Sequence, residues 1–314
     1  MDPQELPKLP LIDFTATNPN RGTSSWRSTS DEVRSALENY GCFIAKYDKI
    51  SLELRNSIFD QSKELFDLPV EIKVQNTSNL LGFGYGGNFS FMPLVEYFGI
   101  ENGATQEATQ HFTNLMWPAG GHDNFSATML MYAKLLSEFD HEVMKMVFES
   151  YGVDQMSCDA LIQSSMYLMR FLKYRGPRVD DLNNIGLQPH IDKNFLAIID
   201  TNQVEGLEIE TRKGEWIGFE PSPSTYVVIA GEPFMAWSNG RIYAPFHRVA
   251  MRGTEIKYSI GLFSFMREII QIPKELVDEQ HPLQFKPFNH LAFLQYCGEG
   301  GKKFKNPINA YCGF

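Results

Sequence analysis

Leu187-Gln-Pro-His-Ile-Asp-Lys193 is the stretch on which the reading of this chain turns. His190 and Asp192 stand two apart, and residues two apart in a strand point to one face. A second short stretch, Pro245-Phe-His-Arg-Val249, supplies His247. Two imidazoles and one carboxylate are the ingredients of a facial triad for non-haem Fe(II), with positions left open for cosubstrate and oxygen. The set predicts His190, Asp192 and His247 as metal ligands and catalytic centre, on strands that folding brings together. A His-x-Asp pair also arises by chance, so its surroundings must decide. The remaining histidines, His111, His122, His141, His281 and His290, have no similarly placed acidic partner and are expected in surface or packing roles.

Around the triad the sequence is strand-rich. Phe195-Leu-Ala-Ile-Ile199, Leu207-Glu-Ile-Glu210, Tyr226-Val-Val-Ile-Ala230 and Tyr258-Ser-Ile-Gly-Leu-Phe263 are short, β-prone and separated by turn residues. Ser238-Asn-Gly-Arg241 contains an Asn-Gly pair, which predicts a hairpin. The first half reads differently. Leu9-Pro-Leu-Ile-Asp-Phe14 is an edge or entry strand, residues 15–28 a polar loop, and Thr29-Ser-Asp-Glu32 a capping box. Helical spacing follows at Val33, Ala36, Leu37 and Tyr40, then a buried strand at Cys42-Phe-Ile-Ala45. Further helices are expected from about Ser51 to Leu68 and from about Ser126 to Tyr151. Between them, Leu81-Gly-Phe-Gly-Tyr-Gly-Gly-Asn-Phe-Ser-Phe91 is dense in glycine and aromatics, a composition suited to lids and binding loops. Helices followed by strands predict an α+β chain with a sandwich or jelly roll fronted by helices. The expected division is a helical and lid part over residues 1–160 and a β core with a C-terminal helix over 161–314, forming one compact unit.

The formal net charge is −10, which argues against nucleic acid or an anionic membrane surface as partner. No apolar run approaches the ~20 residues of a membrane span. Residues 1–7 lack the pattern of a secretory leader. Four cysteines without metal-ligand spacing read as thiols in a reducing compartment, and the expected location is the cytoplasm.

The ordered motifs resemble the plant Fe(II)/2-oxoglutarate-dependent dioxygenase superfamily across nearly the whole chain. They are Leu9-Pro-Leu-Ile-Asp-Phe14, Tyr40-Gly-Cys-Phe43 and Phe66-Asp-Leu-Pro69 with Lys73, then His190-Ile-Asp192 and Gly206-Leu207. Gly214-Glu-Trp216, Gly231, Trp237-Ser-Asn-Gly240 and His247-Arg-Val249 complete the series. The resemblance implies a double-stranded β-helix, a distorted jelly roll, flanked by helices. Lys173-Tyr174, Phe112-Thr-Asn-Leu-Met-Trp-Pro118 and Ala310-Tyr-Cys-Gly313 are similar to the branch named for glucosinolate side-chain oxidation, whose members oxidise diverse specialised metabolites. The implied chemistry uses Fe(II), O2 and 2-oxoglutarate, with ascorbate as a possible reductant. It releases succinate and CO2 and oxidises a small-molecule substrate by hydrogen abstraction, in a protein expected to be monomeric.

One position departs from the family. An Arg-x-Ser pair that holds the far carboxylate of 2-oxoglutarate is here Lys257-Tyr-Ser259. Lysine offers a point charge where arginine offers a planar fork. Three readings stay open: Lys257 and Ser259 bind the carboxylate directly, Arg252 substitutes from the preceding turn, or the site has lost 2-oxoglutarate. The resemblance also assigns Tyr174 to the cosubstrate. Counting by twos from Lys257 puts Phe263 and Phe265 on the inward face, toward substrate. Phe91 and Trp117, with Phe89, Tyr97 and Met116, are candidates to close over it. No second cationic cluster stands out, which argues for a neutral or hydrophobic substrate. The rival readings are an iron oxidase that does not use 2-oxoglutarate and a non-catalytic binding protein.

Overall fold

Helix α1 (Ser24–Asn39) starts where the Thr23 hydroxyl accepts the Trp26 N–H at 3.2 Å. This is more than a turn before the Thr29-Ser-Asp-Glu32 box. The reason is Trp26, which already belongs to the buried face continued by Val33, Ala36 and Leu37 and donates its indole N–H to Glu149 at 2.7 Å. The computed structural model describes residues 8–16, 21–80, 82–179, 181, 183–300, 304 and 306–314. Residues 1–7, read for a leader, residues 17–20 of the polar stretch, and Leu81 lie outside the described residues.

Strands β1 (Leu11–Asp13) and β2 (Cys42–Lys46) flank α1 and pair in parallel. Helix α2 (Leu52–Phe66) is capped by Ser51, whose hydroxyl accepts the Leu54 N–H at 3.1 Å, and it ends before Pro69. A short α3 (Val70–Lys73) leads into the hairpin of β3 (Gly84–Gly86) and β4 (Val95–Glu101). Helices α4 (Gln106–Met116), α5 (Asp123–Ser150) and α6 (Gln155–Gln163) complete the first half. The second half contains β5 (Ser165–Tyr174), β6 (Ile185–His190), β7 (Leu196–Thr201), β8 (Leu207–Glu210), β9 (Trp216–Gly218) and β10 (Thr225–Ala230). Helix α7 (Glu232–Trp237), β11 (His247–Ala250), β12 (Lys257–Met266) and α8 (His290–Glu299) follow.

These strands form two facing sheets, and Ile269–Ile270 pairs separately with Phe288–Asn289. The larger has the order β1-β2-β10-β7-β12-β5-β4-β3 and the smaller β6-β11-β8-β9. This is the jelly roll expected of the β-rich half. Four strands of the first half extend the larger sheet, so the glycine-aromatic stretch is partly built into its edge.

Alternation explains why the strands read as nearly unbroken apolar runs. On β7, β10 and β12, residues Ile198, Val228, Ile260 and Leu262 turn toward the helices. Their neighbours Ala197, Val227, Ile229 and Phe263 turn toward the smaller sheet. Both faces of the large sheet are therefore buried, with α1, α2 and α5 closing the outer one. The core cluster against the helices includes Tyr132, Leu136, Phe139 and Val143 of α5.

The Asn-Gly pair does not make a hairpin. Asn239 and Gly240 both have positive φ, 54° and 82°, and end α7 instead. The Asn239 side-chain amide donates to carbonyls of Leu276, His281 and Pro282, which locks that turn to the C-terminal segment. The local signal for a turn holds, but tertiary hydrogen bonds decide what it joins.

A buried polar cluster ties α2 and α5 to the outer face of β7. The Arg55 guanidinium donates to Asp200 Oδ1 and Oδ2 at 2.9 Å each and to the Thr201 carbonyl at 2.7 Å. The Tyr132 hydroxyl donates to Asp200 Oδ2 at 2.7 Å. Burial pushes the Asp200 carboxyl upward, and Arg55 opposes that shift. Removing one partner of such a pair strands a buried charge, at a cost of about 3–5 kcal/mol. Arg55→Ala should therefore lower unfolding stability by about that amount in urea melts. A loss below about 1 kcal/mol would mean the cluster is not holding the helix layer to the sheet.

Candidate active site

His190 ends β6 and His247 begins β11, and the two are paired across the antiparallel ladder. Their ring centroids lie 4.2 Å apart. Asp192 stands just beyond the end of β6, so a loop rather than strand alternation aims it at the same point. Asp192 Oδ1 is 3.6 Å from Nε2 of each histidine. One ligand atom from each of the three residues falls within 4.8 Å of the others, a set that could hold one metal ion.

The surroundings prepare these atoms as ligands. His190 Nδ1 lies 2.8 Å from the Gln188 carbonyl, and His247 Nδ1 lies 3.4 Å from that of Pro245. A carbonyl only accepts, so each Nδ1 carries the proton and each Nε2 presents a lone pair. Burial opposes charge on Asp192, but the positive charge that His247, His190 and Arg170 can carry outweighs it, and the carboxyl lies at about 2. Burial and then His190 push His247 down to about 4, keeping it neutral. Asp192 Oδ2 is buried without a hydrogen-bond partner, as expected of an oxygen reserved for a cation. Neutral imidazoles and a carboxylate suit Fe(II).

The loop behind Asp192 is held from three sides. Glu232 N–H donates to the Asp192 carbonyl and Gly231 N–H to that of Phe195, both at 3.0 Å. Lys193 pairs with the buried carboxylate of Glu232. His290, fully buried, accepts the Met266 N–H on Nδ1 at 3.0 Å and donates from Nε2 to the Lys193 carbonyl at 2.8 Å. Its place in the sequence gave no sign of this bridge.

Two cavities meet at the triad. The inner one, about 40 Å³, lies between the sheets and is lined by Tyr174, Thr201, Lys257 and Ser259 beyond the triad, with Leu172, Leu207 and Val249. Lys257 donates to the Thr201 hydroxyl and, at 2.8 Å, to the Val204 carbonyl. Burial pushes its ammonium down to about 7, against the opposing pull of Asp200 and Glu205. Tyr174 is paired with Lys257 across β5 and β12, and its ring occupies space that a side chain at Gly186 would fill. Arg252 lies on the rim with its side chain 71% exposed, pairs with Glu208 at 2.6 Å, and lines neither cavity. The Glu208 carboxylate, whose other oxygen takes Arg248 at 2.7 Å, draws it outward.

The outer cavity, about 620 Å³, is lined by Phe83, Phe91, Tyr97, Phe263, Phe265 and Leu294 among others. Phe91 is at its exposed edge, at 67% accessibility. Trp117, expected over substrate, lines neither cavity: at the C-terminus of α4 it stacks on His122 at 4.5 Å and packs on Phe125 of α5. Met116 is buried in the helical core, and Phe89 packs against Phe91 and Tyr97. A residue not expected here, Arg170 of β5, lines both cavities. Counting by twos back from Tyr174 would have found it on the inward face.

Residues 164–265 match the 2OG-Fe(II) oxygenase superfamily, and residues 9–119 match the family described as non-haem dioxygenase in morphine synthesis N-terminal. The chain is 39% identical over 294 residues to the Arabidopsis thaliana "Probable 2-oxoglutarate-dependent dioxygenase AOP1", covering 92% of this chain and 96% of that protein. Among solved structures it is similar to the rice dioxygenase for auxin oxidation, at 25% identity and a TM-score of 0.82, covering 98% of this chain and 100% of the other. The 2-oxoglutarate complex of the Arabidopsis thaliana dioxygenase for auxin oxidation 1 is also similar, at 28% identity and TM-score 0.78 over 87% and 99% of the chains. The protein thus belongs to the Fe(II)- and 2-oxoglutarate-dependent dioxygenases.

Gly231 is the tightest point of the support around Asp192. A Cβ there would stand 1.8 Å from the Asn194 carbonyl oxygen. Gly231→Ala must therefore push the Asp192 loop away, although Gly231 touches no ligand atom. Supporting changes of this kind cost about 10–100-fold in metal affinity. Anaerobic Fe(II) titration should show that loss, and unchanged affinity in a folded variant would refute the role given to this contact.

Proposed function

We propose that this enzyme hydroxylates, or otherwise oxidises by the same first step, a small, predominantly hydrophobic plant specialised metabolite. The observation that carries the reading is the convergence of His190, Asp192 and His247 between a small inner cavity that holds Lys257, Thr201 and Ser259 and a larger one walled largely by aromatic side chains. Fe(II), when bound with 2-oxoglutarate, supplies the oxidation, in which O2 is consumed and the cosubstrate leaves as succinate and CO2.

The residues bind, orient and exclude water. His190 and His247 give their Nε2 lone pairs, and Asp192 gives its carboxylate. Lys257 and Ser259 hold the far carboxylate of 2-oxoglutarate, with Tyr174 against the same molecule. Lys257 reaches that end because Thr201 and the Val204 carbonyl anchor its ammonium there. Leu172, Leu207 and Val249 keep bulk water from the inner cavity. Phe263 and Phe265 carry the substrate-facing wall, and Phe91 lies over its entrance. Trp117 acts at most by packing behind α4. The aromatic and aliphatic side chains of the outer cavity support the substrate class, and the relatives named as 2-oxoglutarate-dependent dioxygenases of Arabidopsis support the reaction.

The chain works as one compact unit, its first 160 residues supplying helices and lid and the remainder the catalytic core. We take it to be a monomer of the cytoplasm with ascorbate as an accessory reductant. Among the described residues no helix is long and apolar enough to cross a membrane.

Anaerobic addition of Fe(II) and 2-oxoglutarate should produce a metal-to-ligand charge-transfer band that is lost in His190→Ala. Bound iron with no band in the unaltered protein would contradict the reading. The lysine makes a second outcome. Lys257 is charged below about pH 7 and loses its proton above it. The dianion favours the charged form, so 2-oxoglutarate affinity should fall as pH rises above 7, by up to about tenfold per unit. Calorimetry at several pH values should show that slope and its disappearance in Lys257→Met. An affinity that is flat across pH 7–9 would place the far carboxylate on another group.

A further inference from the structure

Lys257 is not the only cation on the wall formed by β5 and β12. The register pairs Lys257 with Tyr174, Ser259 with Leu172, Gly261 with Arg170 and Phe263 with Leu168. Along the strand Arg170 thus stands four residues from Lys257, about 13 Å at strand spacing. The two cations serve different levels. Lys257 lines only the inner cavity, whereas Arg170 belongs to the small set of residues, with Leu187, His190, Asp192 and Phe263, that lines both.

Arg170 has the environment of a receptor for an anion. Among the described residues it makes no ion pair, and its Nε is buried with no hydrogen-bond acceptor. The other ammonium at the outer cavity, Lys193, is already paired with Glu232. Two aromatic rings hold the guanidinium: its carbon lies 4.7 Å from the Tyr97 centroid and 5.6 Å from that of Phe263. Gly261, directly across the ladder, lets the Phe263 ring take this position, since a Cβ there would come within 2.7 Å of it. A guanidinium fixed by stacking and half-buried, with its buried Nε lacking an acceptor, leaves that donor unsatisfied at appreciable cost. A planar oxyanion satisfies it, together with a neighbouring N–H, by the forked geometry that suits arginine. The rest of the outer wall is mainly apolar and aromatic; beyond the triad, its other polar members are Gln188, Lys193 and Asn194.

We propose that the substrate is an amphipathic organic acid, its carboxylate bound by Arg170 and its apolar body lying in the outer cavity against Phe83, Phe263, Phe265 and Leu294. This rests on the dioxygenase reading and deepens it. An anchored carboxylate sets which carbon of the body reaches the triad, so Arg170 determines both substrate class and position of oxidation.

The test uses the anaerobic holoenzyme with Fe(II) and 2-oxoglutarate and matched probes: 4-phenylbutanoate and 3-(indol-3-yl)propanoate, each with its primary amide. Calorimetry should give at least one acid binding tenfold or more tighter than its amide. In Arg170→Met that ratio should fall to about one, and in Arg170→Lys part of it should remain. Arg170→Lys keeps the question open to measurement should the methionine variant fold poorly. No preference for either acid in the unaltered enzyme, including no binding of any probe, overturns the proposal. So does a preference that survives in Arg170→Met, or a loss of 2-oxoglutarate affinity equal to the loss for the acid, which would put Arg170 on the cosubstrate. Absence of the charge-transfer band in the unaltered protein refutes the underlying assignment, whereas a normal band without acid preference refutes this inference alone.

Discussion

The rung that pairs His247 with His190 is the contact on which the rest of the site depends. It sits where β6 ends and β11 begins, at the margin of the smaller sheet. Two imidazoles on neighbouring strands can converge only if that register is kept, because a one-residue slip turns every side chain to the opposite face. Val249, on the same strand as His247 and buried between the sheets, opposes a slip of β11, as it would be turned out of the core. The metal-binding geometry is therefore a consequence of hydrophobic burial around it. Asp192 is different: it lies past the strand and depends on Gly231, Glu232, Lys193 and His290 to hold its loop.

The larger sheet completes the site by working on both faces. Asp200 and Thr201 are adjacent on β7 and point in opposite directions. One takes Arg55 and Tyr132 from the helices, and the other accepts from Lys257 in the inner cavity. The helix layer is thus fastened directly behind the Lys257 end of the inner cavity. Arg55 also donates to the Thr201 carbonyl, so the backbone that carries the Lys257 anchor is itself held. Under the proposed assignment, this support fixes the single ammonium of Lys257 at the position where the family resemblance implies an arginine fork.

Much of this was legible in the sequence because the signals were local and periodic. The strands of the second half, the long helix that ends near Tyr151 and the helix that starts near Ser51 all follow from β-prone composition and helical spacing. The triad was readable as residue types in order, although Asp192 reaches the site by a loop and not by alternation. What was hidden depended on partners distant in the chain. Asn239-Gly240 is a turn, but the carbonyls of Leu276, His281 and Pro282 give it its place. Trp117 sits in an aromatic-rich stretch, and only the packing of α4 on α5 turns it from the cavity. His290 lies far from Lys193 in sequence and became structural through one hydrogen bond at each nitrogen. Arg170 was missed for another reason: a search for clusters of cations overlooks a single arginine on an inward face, although alternation along β5 places it there.

The most direct measurement is an anaerobic crystal structure with Fe(II) and 2-oxoglutarate bound. The account predicts iron ligated by His190 Nε2, His247 Nε2 and Asp192, with the far carboxylate of 2-oxoglutarate on Lys257 and Ser259 and the Arg170 guanidinium left facing the outer cavity. Iron bound elsewhere, or the far carboxylate resting on Arg170 or Arg252, would contradict it.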